Sequence, residues 1–330
     1  MRRRDFIKVV AVGSAAALPR AVIAQPTERV RRIGILLAVS PSDTQFQTWI
    51  DVFLQTLAQS GWVVGRNISV DTRWARGSAA EIRRHATELV ALAPDIILAH
   101  GASTVRPLLQ STRTVPVVFP IAGDPVGAGF VESLARPGGN ATGFMSTEFS
   151  MGAKWLELLK EIAPRVTRAA VLRDATQGSG NSQFAAIQAV APSLRVEVTP
   201  INMRDADEVE RGVTTFARSP NGGLVLTAGP GATRYRDLIV ALAARHKLPA
   251  IYYERFFVAG GGLVAYGTDF NDHYRQAAGY VDRILKGEKP ADLPVQAPTT
   301  YKLTINLKTA KALGLELPPS LLVRADEVIE

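Results

Sequence analysis

The chain switches repeatedly between two periodicities of apolar residues. Runs that are apolar almost throughout, 33–38, 68–74, 95–100 and 115–120, read as strands. Between the first two, Phe46, Trp49, Ile50, Phe53, Leu54 and Leu57 recur every three or four residues and mark one face of a helix. Ile82, Ala86, Leu89 and Val90 do the same between the second and third. Strands that are apolar on both faces and separated by single helices predict a parallel sheet covered on both sides.

The pattern breaks at "DPVGAGFVESLARPGGNATG", residues 124–143, and then begins again. Runs at 168–174, 195–201, 222–229 and 248–254 read as a second set of strands, with helices at 181–191, 205–218 and 233–246 between them. A ninth strand at 262–267 leads into a helix from Asp272 to Leu285. The surface link 286–294, with its prolines and lysines, precedes one more strand and a short helix. Elements left over after two complete sheets predict a chain that crosses between lobes more than once. The expected fold is therefore α/β: two doubly wound parallel-sheet lobes joined by a multiply crossed hinge, forming a cleft that closes on a ligand. Lobe 1 is expected to take residues 31–143 and 265–296, and lobe 2 residues 144–264 and 297–330. Within the break, "FVESLARPGGN" reads as a helical turn stopped by Pro137 and the glycines, and "ATGF" as the start of a crossing.

Charge at first suggests a polyanion partner, since the 330 residues carry a net +8. The N-terminus, "MRRRDFIKVVAVGSAAALPRAVIAQP", changes that reading. A basic head, an apolar run from Val9 to Leu18 and small residues before Ala24 make a signal peptide over residues 1–24. Arg3 and Arg4, followed by Asp5, Phe6, Ile7 and Lys8, resemble the twin-arginine export motif. Cleavage near Ala24 would remove five basic residues and one acidic one, lowering +8 to +4, and the nucleic-acid reading loses its support. The chain has no cysteine, which excludes disulfides, thiol chemistry and Cys-ligated metals. A periplasmic location is expected, with no membrane-spanning segment after cleavage.

Ligands of open parallel sheets meet the carboxyl ends of strands. In the first half that rule selects Ser40, Ser42 and Asp43, then Ser103 and Thr104 in "GAST", then Asp124 in "GDP". A helix opening at Ser103 and Thr104 would suit a carboxylate, although both residues also serve as plain N-caps. Asp124 could pair a ligand amine or simply form the turn before Pro125. The same rule in the second half selects Arg173, Asp174, Asn181, Thr227, Gly229, Tyr253 and Glu254. Tyr252 and Tyr253 must face opposite ways in a strand, so one can line a cleft while the other packs. Phe184 fits a core better than a stacking surface.

The stretch 124–143, the run from "FVAGGGLVAYGTDF" to the C-terminal "LLVRADEVIE", and the export signal together resemble the solute-binding proteins of ABC-type importers. The narrower resemblance is to the branch with the type I periplasmic-binding fold that includes tryptophan- and tyrosine-binding members. It covers about residues 31–330. It implies a monomer without cofactor or metal, which closes two lobes on a small solute and delivers it to a membrane permease and its ATPase. That branch, with Tyr252, Tyr253, Phe184 and Tyr266, tilts the expected ligand to an amino acid or related small carboxylate, aromatic ones included. No phosphate-binding loop or complete dinucleotide fingerprint occurs.

The competing readings are an extracytoplasmic enzyme on a similar two-lobe scaffold and a ligand-sensing binding protein. His85, His100, His246 and His273 have no metal spacing, and only His100, at a strand's carboxyl end, is placed for chemistry. "GASTV" has Val105 where a nucleophile elbow needs its second glycine.

Overall fold

The computed structural model describes residues 29–330 apart from 147 and 177, so the signal peptide expected at 1–24 lies outside the described residues. The first half builds β1 (Arg31–Leu37), α1 (Thr44–Gln59), β2 (Ile68–Trp74), α2 (Ala79–Ala91), β3 (Ile96–Ala99), α3 (Ala102–Ser111), β4 (Val117–Ala122) and β5 (Ala141–Met145). The five strands form one parallel sheet in the order β2-β1-β3-β4-β5. Short polar side chains start the helices by accepting free first-turn amides. Asp43 takes those of Gln45 and Phe46 at α1, and Ser78 takes that of Glu81 at α2.

Strand alternation divides the apolar residues between the two faces of this sheet. Ile33, Ile35 and Leu37 join the core shared with α1, whereas Leu36 joins a second cluster with Ile82, Leu89 and Leu108 on the other side.

The second half continues with α4 (Met151–Ile162), β6 (Arg168–Arg173), α5 (Gly178–Val190), β7 (Glu197–Asn202), α6 (Ala206–Phe216) and β8 (Gly222–Leu226). Then come α7 (Pro230–Arg234), α8 (Arg236–Arg245), β9 (Ala250–Tyr252), α9 (Arg255–Ala259), β10 (Val264–Gly267) and α10 (Phe270–Leu285). The chain ends with β11 (Lys302–Asn306), α11 (Leu307–Ala312), α12 (Pro319–Arg324) and β12 (Glu327–Ile329). Seven strands form the second sheet in the order β12-β11-β10-β9-β8-β6-β7. All its pairs are parallel except β10 with β11.

The stretch 124–143 differs from the sequence expectation in two ways. Residues 130–140 form turns and no helix, because the chain folds back on itself: the amides of Phe130 and Val131 both donate to the Pro125 carbonyl. Gly138 supplies the left-handed backbone, at φ 75°. "ATGF" is then no crossing; it is β5, the edge strand beside β4. The lobe boundary expected at 143/144 cuts this strand, and the one expected at 264/265 cuts β10, which pairs entirely within the second sheet.

The chain passes between the two sheets just outside the strands, near 146–150, 268–269 and 297–301. After β10 the chain returns to the first lobe, where α10 packs on α1 and β4. Trp62 Nε1 donates to Asp282 of α10 at 2.8 Å, and His273 of α10 lies with Nδ1 3.0 Å from the Pro120 carbonyl oxygen. Gln296 then bonds along β5, its amide donating to the Gly143 carbonyl and its carbonyl accepting from Met145, before the third crossing.

Candidate ligand-binding cleft

The carboxyl ends of both sheets face one another across a cleft of about 830 Å³. Its first wall comes from the loops and following helices after β1 (Ser40, Asp43), β2 (Arg76, Gly77), β3 (His100, Ser103) and β4 (Gly123, Asp124). Its second wall comes from those after β6 (Asp174, Ser179), β7 (Met203, Arg204), β8 (Gly229, Thr233, Arg234) and β9 (Tyr253). Phe46 and Phe270 supply apolar surface between them.

Seven of the residues selected from sequence line this space: Ser40, Asp43, Ser103, Asp124, Asp174, Gly229 and Tyr253. Ser42, Thr104, Arg173, Asn181, Thr227 and Glu254 do not. Thr104 is buried at the first turn of α3, its hydroxyl donating to the carbonyls of His100 and Gly101 at 2.9 and 3.0 Å. Thr227 is buried likewise and donates to the Leu172 carbonyl at 2.9 Å. Both hydroxyls are spent on neighbouring backbone carbonyls and are not free for a ligand. Glu254 caps α9 by accepting the Phe256 amide at 2.7 Å, and burial pushes its carboxyl up to about 8. Asn181 is exposed on α5 and bonds Arg173 and the Ala175 carbonyl.

The aromatic residues separate in the same way. Tyr253 faces the cleft, with its hydroxyl 3.2 Å from that of Thr233, while Tyr252 is buried and stacks on Phe257. Phe184 is core, covered by the Arg173 guanidinium. Tyr266 packs against Tyr301, away from the cleft.

His100 belongs to the cleft for a reason that strand position alone does not show. Its Nδ1 lies 2.8 Å from the Tyr274 hydroxyl, and its ring sits in an aromatic nest of Phe46, Trp49, Phe270 and Tyr274. Burial, reinforced by the nearby His273, pushes the imidazole pKa down to about 3, so the ring is neutral at pH 7. Tyr274 is fully buried, and its hydroxyl pairs with His100. The tautomer that satisfies the phenol proton therefore has O–H donating to Nδ1. That leaves Nε2–H as the ring's remaining donor.

Charged groups of both signs line the cleft. Asp124 and Asp174 face it at the β4/β6 side, where the Asp124 Oδ1 also accepts the Gly127 amide at 2.8 Å. Arg76, Arg106, Arg204, Arg234 and Arg236 line it as well. Sequence reasoning passed over all five. Arg76 and Arg204 follow β2 and β7, the edge strands, and the strand-end rule applied to every strand would have found them. Arg106, Arg234 and Arg236 lie within helices, where no local signal sets them apart.

The lobes touch across the cleft. The Arg236 guanidinium lies 3.5 Å from the Asp43 carboxylate of the opposite lobe, and Trp49 meets Phe256 with ring centroids 6.0 Å apart. At the other end a Cβ placed on Gly123 would come within 2.8 Å of the Ser179 side chain, so only glycine permits this approach.

Two facing α/β lobes, three crossings and a cleft lined with charged, hydroxyl and aromatic groups define a protein that encloses a small solute. The chain belongs to the ABC transporter substrate binding protein family, whose model matches residues 33–329, and it is a solute-binding protein. A curated relative, the tyrosine-binding protein of Clostridioides difficile (strain R20291), is 24% identical over 270 residues, covering 80% of this chain and 76% of the relative. An ABC domain from Streptococcus pneumonia, solved in complex with L-Trp, superposes with a TM-score of 0.83 at 26% identity, covering 91% of this chain and 99% of that one. A ligand-free, open structure of a substrate binding protein from Clostridium difficile superposes with a TM-score of 0.68 at 24% identity, covering 91% and 99%. Among the described residues, no helix is long and apolar enough to cross a membrane.

Proposed function

We propose that this protein captures an amino acid or related small carboxylate, aromatic ones included, outside the cytoplasm and delivers it without chemical change to an ABC importer's permease. The observation that carries this reading is the convergence in one cleft of the Ser103 helix start and the His100 ring with the Asp124 carboxylate and the Tyr253 ring. A zwitterion would place its carboxylate on the donors and its ammonium by Asp124, with the aromatic walls taking its side chain. The tyrosine- and tryptophan-binding relatives support that choice.

A thermal-shift screen of the mature protein against amino acids, aromatic acids and sugars tests it. A true ligand at 100 times its Kd adds about 2.7 kcal/mol of stability, enough for a clear rise in Tm. We expect that rise with an amino acid or aromatic acid. A response confined to sugars would refute the reading, and consumption of the ligand would make the protein an enzyme.

The monomer is proposed to reach the periplasm through the twin-arginine route, with cleavage near Ala24. Converting Arg3 and Arg4 to lysine should leave precursor in the cytoplasm, as cell fractionation with an antibody would show. Unimpaired export of that variant would rule the route out.

A further inference from the structure

Charge is spread unevenly along the cleft. Asp124 and Asp174 face it at the β4/β6 side, Arg76 and Arg234 line it at the β2/β8 side, and Arg106 and Arg204 line it elsewhere. Three sheet positions separate β2 from β4, roughly 14 Å at ordinary strand spacing. A group bound at one end is therefore distinct from a group bound at the other.

At the β2/β8 end, Arg76 enters from the first lobe and Arg234 from the second. Arg234 lies against Gly77, the residue after Arg76: a Cβ built on Gly77 would be 3.7 Å from the Arg234 Nε. Neither guanidinium has a carboxylate partner among the described residues. Asp43 and Asp237, which also line the cleft, are both engaged by Arg236, at 3.5 and 3.0 Å. The Arg234 guanidinium stands over the Tyr235 ring, 5.4 Å from its centroid. Closing the lobes thus gathers like charge at one end of the cleft, which opposes closure unless an anion sits between the two arginines.

The backbone at Arg76 points the same way. Arg76 and Gly77 have φ of 46° and 75°, and the Ser78 amide donates to the Ala75 carbonyl at 2.8 Å, closing a tight turn with two successive left-handed residues. Such turns select Gly, Asn or Asp at both central positions, and arginine is disfavoured there by its Cβ. The main chain is held in place by the Arg76 and Gly77 amides, which donate to the carbonyls of Val39 and Ala38. A residue unsuited to its turn, at the lip of a cleft, is the kind of local conflict that function maintains against stability.

We propose that Arg76 and Arg234 form an anion clamp completed by lobe closure, and that the ligand carries a second carboxylate at the end remote from Asp124. The amino-acid part of this assignment rests on the function proposed above, whereas the clamp rests on the two arginines alone.

Calorimetric titration of the mature protein with L-phenylalanine, 4-carboxy-L-phenylalanine and terephthalate tests the clamp. The added carboxylate should improve affinity at least tenfold over L-phenylalanine, the order expected for charge-assisted pairing. In Arg76→Asn and in Arg234→Gln that advantage should fall below about threefold. Arg76→Asn should also keep or raise the melting temperature, since asparagine suits the turn, which separates lost recognition from lost folding. Equal affinity for the two amino acids, or an advantage that survives both substitutions, overturns the clamp. Binding of terephthalate alone, weakened in both variants, upholds the clamp and sinks the amino-acid reading. No binding of any of the three overturns the clamp.

Discussion

Replacing Trp49 with alanine is expected to lower stability by about 3 to 5 kcal/mol, the usual cost of emptying a large buried aromatic site. Trp49 is 1% exposed on α1 and touches five other rings. It stacks on His100 at a 7° interplanar angle and on Tyr274 at 22°, and meets Phe46, Phe270 and Phe256 at 4.7, 5.3 and 6.0 Å. Phe256 belongs to the second lobe, so the indole contacts both lobes within one buried cluster. The cavity would also loosen the His100 ring and hence the donor it offers the cleft. Urea unfolding followed by far-UV circular dichroism measures the loss. A change below about 1 kcal/mol would show that neighbouring rings collapse into the space and that the cluster does not depend on the indole.

Gly267→Ala is expected to be nearly as severe, by a different mechanism. A Cβ at this position would stand 1.7 Å from the Tyr253 carbonyl oxygen and 2.7 Å from its carbon. Backbone cannot rotate aside as a side chain can, so β10 and the end of β9 must separate. The shift acts at the second crossing and displaces Tyr253, a cleft residue. We expect about 3 kcal/mol of destabilisation, and weaker ligand binding by whatever fraction still folds. Unchanged Tm and unchanged affinity for the solute found by thermal shift would refute the idea that this contact sets the geometry of both hinge and cleft.

Hydrophobic period set most of what could be read from the chain alone. The strand expected at 68–74 is β2 to the residue, and the helical face Phe46, Trp49, Ile50, Phe53 and Leu57 is the buried face of α1. Local pattern is sufficient there because a strand or helix with one apolar face has few ways to bury it. The strand-end rule, applied to the same strands, led to Ser40, Ser103, Asp124, Gly229 and Tyr253 without further help. Pattern was insufficient for β5, where "ATGF" carries a glycine and no long apolar run. It also could not show that β10 pairs in the second sheet while α10 packs on the first.

Side-chain direction and lobe contact were decided only by the tertiary structure. Ser103 and Thr104 are adjacent and chemically alike, yet one lines the cleft and the other is buried against its own helix, because successive helical residues point about 100° apart. Arg76 and Arg234 are 158 positions apart and belong to different lobes. That Arg234 comes to lie against Gly77, beside Arg76, depends on how closely two separately folded sheets approach, and no run of local sequence encodes that distance.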